Sequence, residues 1–185
     1  WVVNGEKTWN TVIHSAHSDM ILARTSGGPG DGHGITAFLT PMDADGLVIE
    51  EYLWTFNMPT DHGRVSLTDV RLPDSAILGE EGRGLQIAQH FFNENRIRQA
   101  ASSLGAAQYC INESVAYARD RKPFGKPLSI NQAIQFPLAE LQTECEMLRA
   151  LVHKTAWQMD EHGAFSVSDK ISMCNYWANR LCCDS

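Results

Sequence analysis

Apolar and polar positions follow two different periods along this chain. Up to about residue 75, apolar residues come in short runs or alternate, which is the strand pattern. Residues 2–3, 8–13, 20–25, 34–40, 47–54 and 64–72 are strand-like. Ile35, Ala37 and Leu39 alternate with Thr36, Phe38 and Thr40, as in a sheet with two different faces. Asn4-Gly5 between the first two runs carries the composition of a type I′ hairpin turn. In the last run Val65 and Leu67 share one phase while Val70 and Leu72 take the other, which places a β-bulge near Asp69.

From about Gly82 the period becomes helical, with Leu104, Ala107, Ile111, Val115 and Ala118 at i+3/i+4 spacing. A second helix is expected to open at Ser129, capped reciprocally with Gln132. Its apolar stripe is Ile130, Ile134, Leu138, Leu141, Cys145, Leu148, Val152, Thr155 and Met159. Pro137 predicts a kink and Gly163 the end. Ser166 to Asp169 then cap a third helix whose inner face reads Ile171, Cys174, Trp177 and Leu181. The fold class is therefore α+β. A small antiparallel β-barrel or sandwich (residues 1–75) precedes part of an antiparallel helical bundle (residues 76–185), truncated at its end. The chain starts at Trp1 within a strand pattern and stops at Ser185 within a helical one, so it reads as a piece of a longer polypeptide.

Composition narrows the classes. With 185 residues, 43% of them hydrophobic, the chain can bury a core. A net charge of −7 without a long basic run argues against nucleic acid as partner. No apolar run approaches the ~20 residues of a membrane span. Five cysteines without paired spacing read as reduced thiols, which implies an intracellular soluble protein. That means cytoplasmic in a bacterium and mitochondrial or peroxisomal in a eukaryote. His14 and His17 lack a third ligand and are expected on opposite strand faces, so no metal site is expected. The glycines between Gly79 and Gly84 lack the Lys-Ser/Thr of a phosphate loop and read as a turn into a helix.

Two stretches carry candidate chemistry. Arg121-Lys122-Pro123-Phe124-Gly125-Lys126 is a basic turn between helices, with Gln132 following. Its cations can hold a phosphate linker, and its aromatic can cover a flat ring. Trp9 and Thr11, two apart on a strand, share a face. An indole wall beside a hydroxyl suits a planar conjugated cofactor, although a sheet-face Trp/Thr pair is also an ordinary structural feature.

These stretches, taken together, resemble the acyl-CoA dehydrogenase family. Asn4-Gly5-Glu6-Lys7-Thr8-Trp9-Asn10-Thr11 is similar to its N-G-x-K-x-W-I-T/S segment. Leu67 to Pro73 followed by Leu78 to Gly84 is similar to its V-x-V-P…L-G-x-x-G-x-G junction. Arg96 with Leu104-Gly105-Ala106-Ala107, and Arg121 to Leu128 with Gln132, resemble two of its helical motifs. The resemblance implies FAD as cofactor. Trp9 would stack near the flavin, Thr11 would bond near its N5 edge, and Asn10 would add backbone contacts. Arg121 and Phe124 would meet the pyrophosphate and adenine of an FAD held by a neighbouring subunit, with Gln132 in the same patch. Phe92, Asn93 and Arg96 would line an acyl-CoA channel.

The implied reaction is α,β-dehydrogenation of an acyl-CoA thioester, in which a carboxylate removes the α-proton and hydride leaves to flavin N5. The implied assembly is a homo-oligomer, a dimer of dimers, with an electron-transfer flavoprotein as electron acceptor. Four departures stand out. The Y-E-G-T-like segment that usually brings the base and the Q-x-x-G-G-x-G loop are missing. Where some relatives carry a glutamate before the arginine, Asn95 stands instead, with the weak candidate Glu94 about 100° around the helix. Asn10 replaces an aliphatic residue, and residues 57–65 are shorter than usual. The alternatives are an acyl-CoA oxidase on the same fold and a non-catalytic interaction module.

Overall fold

The computed structural model describes residues 1–55 and 58–185, with side chains for all of the chain except residues 56–61. It divides into two compact units, Trp1–Gln89 and His90–Ser185. Of the segment noted as short, residue 57 lies outside the described residues.

The first unit holds six strands: β1 (Val2–Thr11), β2 (Ser18–Arg24), β3 (Ile35–Pro41), β4 (Leu47–Thr55), β5 (Met58–Arg71) and β6 (Ile77–Leu78). They form two antiparallel three-stranded sheets, ordered β1-β5-β4 and β2-β3-β6. Val3, Leu67 and Val70 from one sheet pack with Ile21 and Phe38 from the other, so the core is a sandwich filling. Polar ties cross between the sheets as well. Lys7 Nζ donates to the Leu22 carbonyl at 2.7 Å, and Asn10 Nδ2 donates to Asp19 Oδ2.

Asn4-Gly5 is not a hairpin turn. β1 runs straight through it, and Gly5 pairs with Leu67. What the two residues serve is the bulge expected at Asp69. Val3 faces Val70 and Gly5 faces Leu67, so Asn4 alone opposes both Thr68 and Asp69. Asp69 turns left-handed there (φ 52°). The turn lets Val65, Leu67, Val70 and Leu72 all be buried despite their phase slip.

The glycine-rich junction is a close approach. Gly82 N–H donates to the buried Thr36 Oγ1 at 2.8 Å. A Cβ on Gly84 would lie 2.4 Å from the Ala37 nitrogen, so only glycine lets the next helix start against β3.

That helix is α1 (Gly84–Asp120), followed by α2 (Gln132–His162) and α3 (Ser168–Asp184). In the second unit Ala100, Leu104, Ala107 and Ile111 of α1 meet Cys145, Leu148 and Val152 of α2 and Cys174, Ala178 and Leu181 of α3. The expected capping box does not form. Leu128–Ile130 is a 3-10 turn, Asn131 is the residue before α2, and Ser129 instead offers its carbonyl to Gln135 Nε2 at 2.6 Å. α2 runs continuously through Pro137. On α3 the inner position belongs to Ala178, while Trp177 is 48% exposed. His14 sits in a 3-10 turn, Ile13–Ser15, and not in a strand. Among the described residues, no helix is long and apolar enough to cross a membrane.

Candidate functional site

The end of β1 is shaped by a second bulge. Thr8 pairs with Arg64 and Asn10 with Gly63, which leaves Trp9 as the extra residue. Trp9 takes a left-handed backbone (φ 69°), uncommon for a bulky side chain. Its indole is 59% exposed. Thr11 pairs with His62, and directly opposed residues on paired strands share a face. The Trp9 ring meets the His62 ring at 6.2 Å between centroids and 70° between planes, so the indole and Thr11 lie on one side of the ribbon around His62. Thr11 is exposed, and its hydroxyl has no hydrogen-bond partner among the described residues.

Asn10, between them, points the other way to Asp19. Burial raises the Asp19 carboxyl above its ordinary value. The Asn10 hydrogen bond, the Lys7 charge and the Met20 backbone N–H oppose that shift without cancelling it. Beyond Thr11 the chain turns sharply. Val12 is left-handed (φ 62°) and Ile13 is buried. A Cβ on Gly63 would stand 2.6 Å from Ile13 Cγ2, so this corner requires glycine in β5.

In the second unit, α1 ends at Asp120 and the basic turn follows. Leu128 N–H returns to the Arg121 carbonyl at 2.9 Å and closes the turn. Phe124 has a left-handed backbone (φ 54°, ψ 27°), is followed by left-handed Gly125, and holds its ring wholly in solvent at 106% relative exposure. Arg121 is exposed, and its guanidinium has no ion-pair or hydrogen-bond partner among the described residues. Gln132, exposed, is the first residue of α2. One short turn thus carries an exposed aromatic on a disfavoured backbone and a guanidinium unpaired among the described residues.

The early part of α1 divides its candidates by face. Phe92 is exposed and lies 6.1 Å from Phe91 between ring centroids. Arg96 is half-buried in a groove of about 540 Å³ with Ser172, Asn175, Tyr176, Asn179 and Arg180. Asn93 is 0% exposed, and its Nδ2 donates to Ser168 Oγ at 2.8 Å and to the Ala164 carbonyl at 3.4 Å. Its side chain is engaged inside the helical unit. Glu94 lies on the exposed face, 3.3 Å from His90 Nε2, and His90 stacks on Phe165.

The model of the acyl-CoA dehydrogenase C-terminal domain matches residues 82–185. The chain belongs to the acyl-CoA dehydrogenase family. It is 36% identical over 168 residues to the human mitochondrial short-chain specific acyl-CoA dehydrogenase, covering 89% of this chain and 40% of that protein. Butyryl-CoA dehydrogenase from Megasphaera elsdenii superposes with a TM-score of 0.87 at 31% identity, covering 97% of this chain and 46% of that one. An acyl-CoA dehydrogenase from Geobacillus kaustophilus gives 0.87 at 26% identity, over 98% of this chain and 48% of that one. The chain spans less than half the length of the curated relatives it matches.

The sequence offers Trp9, Thr11, Arg121 and Phe124 as candidates, but not the left-handed backbones of Trp9 and Phe124. His62 reads in the sequence as one of several scattered surface histidines, whereas the structure half-buries it beside Trp9. The only available signal was its place before Gly63 in the strand opposite Thr11, and that register is visible only once β1 and β5 are paired.

Proposed function

We propose that the chain supplies cofactor- and substrate-facing residues of an FAD-dependent acyl-CoA dehydrogenase. One observation carries this reading. Two exposed aromatics at family motif positions, Trp9 and Phe124, are each held on a left-handed backbone, one in each unit. Strain of this kind persists only where surrounding structure enforces it, and it concentrates at ligand clamps.

The free groups fit FAD. Trp9 walls the isoalloxazine, and the Thr11 hydroxyl donates to the edge of that ring system from the same side. Asn10, whose amide is taken by Asp19, is left with its backbone to contribute. The Arg121 guanidinium offers a planar fork to the pyrophosphate, Phe124 covers the adenine, and Gln132 adds an amide to that patch. This second group serves an FAD held by a neighbouring subunit, which requires a homo-oligomer. Phe92 and Arg96 face the acyl-CoA, while Asn93 braces α1 from inside. When bound, FAD supplies the acceptor for the hydride that leaves the β-carbon of the thioester. The α-proton goes to a carboxylate. Glu94 is not assigned that task, because it is solvent-exposed beside His90. An electron-transfer flavoprotein is the acceptor this reading expects.

The test is anaerobic. Acyl-CoAs of graded chain length are added to the flavin-loaded protein, and the visible flavin absorbance is followed. Bleaching by at least one acyl-CoA, and none by free CoA, supports the reading. An unbleached spectrum across the series contradicts it.

A further inference from the structure

We infer that His62 is a positioning residue that sets the orientation of the Trp9 indole on the ligand-facing side of the β1–β5 ribbon. The inference rests on the flavin reading above for what the indole meets, and on geometry alone for how the indole is held.

An exposed indole on a bulge would ordinarily sample several rotamers, because a bulge interrupts the regular cross-strand neighbours that fix side chains in a sheet. Trp9 has no residue of its own opposite it in β5, since Thr8 and Asn10 take Arg64 and Gly63. Its ring neighbour is His62, 6.2 Å away and near-perpendicular, an edge-to-face arrangement that aromatic rings favour.

His62 is itself anchored. It is half-buried on the central strand of its sheet, paired with Thr11 on one side and with Leu53 of β4 on the other. Its Nδ1 lies 3.4 Å from Thr55 Oγ1. The adjoining corner is fixed by Gly63, which has no room for a Cβ against Ile13. A rigid ring at position 62 therefore converts a mobile surface indole into a wall with one orientation. It does so beside the hydroxyl of Thr11, where a planar ligand needs both groups at once. Pre-arranging the wall lowers the ordering cost of ligand binding.

Selective labelling with 5-fluorotryptophan tests this without any cofactor. The Trp9 resonance is assigned by its loss in Trp9→Phe, and Trp1, Trp54, Trp157 and Trp177 report on the rest of the fold. In His62→Ala the Trp9 resonance should narrow and shift towards that of the free amino acid while the other four stay in place. His62→Phe, which keeps an aromatic edge, should restore the broader signal. Should His62→Ala unfold, His62→Gln keeps the bulk and a partner for Thr55 and carries the same comparison. A Trp9 resonance unchanged by loss of the ring would overturn the inference.

A second arm measures FAD retention. The ring-deleted variants should hold FAD several-fold more weakly, with the phenylalanine variant near wild type. A freed indole with unchanged FAD retention would leave His62 as the holder of Trp9 and count against the flavin reading instead.

Discussion

Asn4 holds Asp69 at two points: Asn4 Oδ1 accepts the Asp69 backbone N–H at 2.7 Å, and Asn4 Nδ2 donates to Asp69 Oδ1 at 3.1 Å. One side chain on β1 thereby fixes the bulge that lets β5 change phase. Asn4→Ala is expected to lower stability by about 1–2 kcal/mol, since both bonds are surface-exposed but hold a left-handed residue. Urea unfolding measures it. Asn4→Asp keeps the acceptor for the Asp69 N–H but sets a carboxylate oxygen against Asp69 Oδ1, so it should recover little of the loss.

The same bulge illustrates what was legible in the sequence. The phase slip between Leu67 and Val70 can be read directly, because burial imposes a period of two on strands. Asn4-Gly5 has the composition of a turn, but the residue facing it decides its use, and that residue lies 65 positions away. On α3, Trp177 and Ala178 satisfy helical spacing equally well. Hydrophobic size favoured the tryptophan, yet Ala178 is the one buried in the three-helix core. At the start of α2, the turn at Leu128–Ile130 pre-empted the cap that Ser129 and Gln132 spell out. Of the candidate site, the sequence offers the residue types, because indole, hydroxyl and guanidinium suit the chemistry of the proposed ligand. The left-handed backbones of Trp9 and Phe124 and the placement of His62 depend on register and turn closure, which no local pattern encodes.

Asp19 gives a pH prediction. Burial raises its carboxyl, so the folded protein holds that proton more tightly than the unfolded chain does. Its contribution to stability is full below the ordinary value of 3.8 and is lost as pH rises through the folded-state value. Asp19→Asn does not titrate and keeps an acceptor for Asn10. The stability of the wild type minus that of Asp19→Asn should therefore fall between acid and neutral pH, as measured by urea unfolding at several pH values. A difference that grows with pH would contradict the assignment.

Phe124 separates stability from binding. Its ring is wholly exposed and its backbone is left-handed, so Phe124→Asn removes no packing and eases the backbone. The thermal midpoint should be unchanged or raised, by the equivalent of up to about 1 kcal/mol. FAD affinity should drop roughly tenfold, the loss of one stacked ring at about 1.4 kcal/mol.

Arg121 tests the shared cofactor. Arg121→Ala should release FAD on dilution at concentrations where the wild type retains it, and Arg121→Lys should fall between, because it keeps charge without the planar fork. Flavin content after gel filtration across a dilution series decides the matter. Equal retention in all three proteins would remove Arg121 from the cofactor site.

The flavin's own fluorescence is the most direct probe of an indole and a hydroxyl set on one side of the β1–β5 ribbon. An indole in contact with an isoalloxazine quenches its emission by transferring an electron to the excited ring. The emission lifetime of FAD bound to the wild type should therefore be short, and in Trp9→Leu it should lengthen several-fold with FAD still bound. A bound-flavin lifetime that is the same with and without the Trp9 indole would contradict the account.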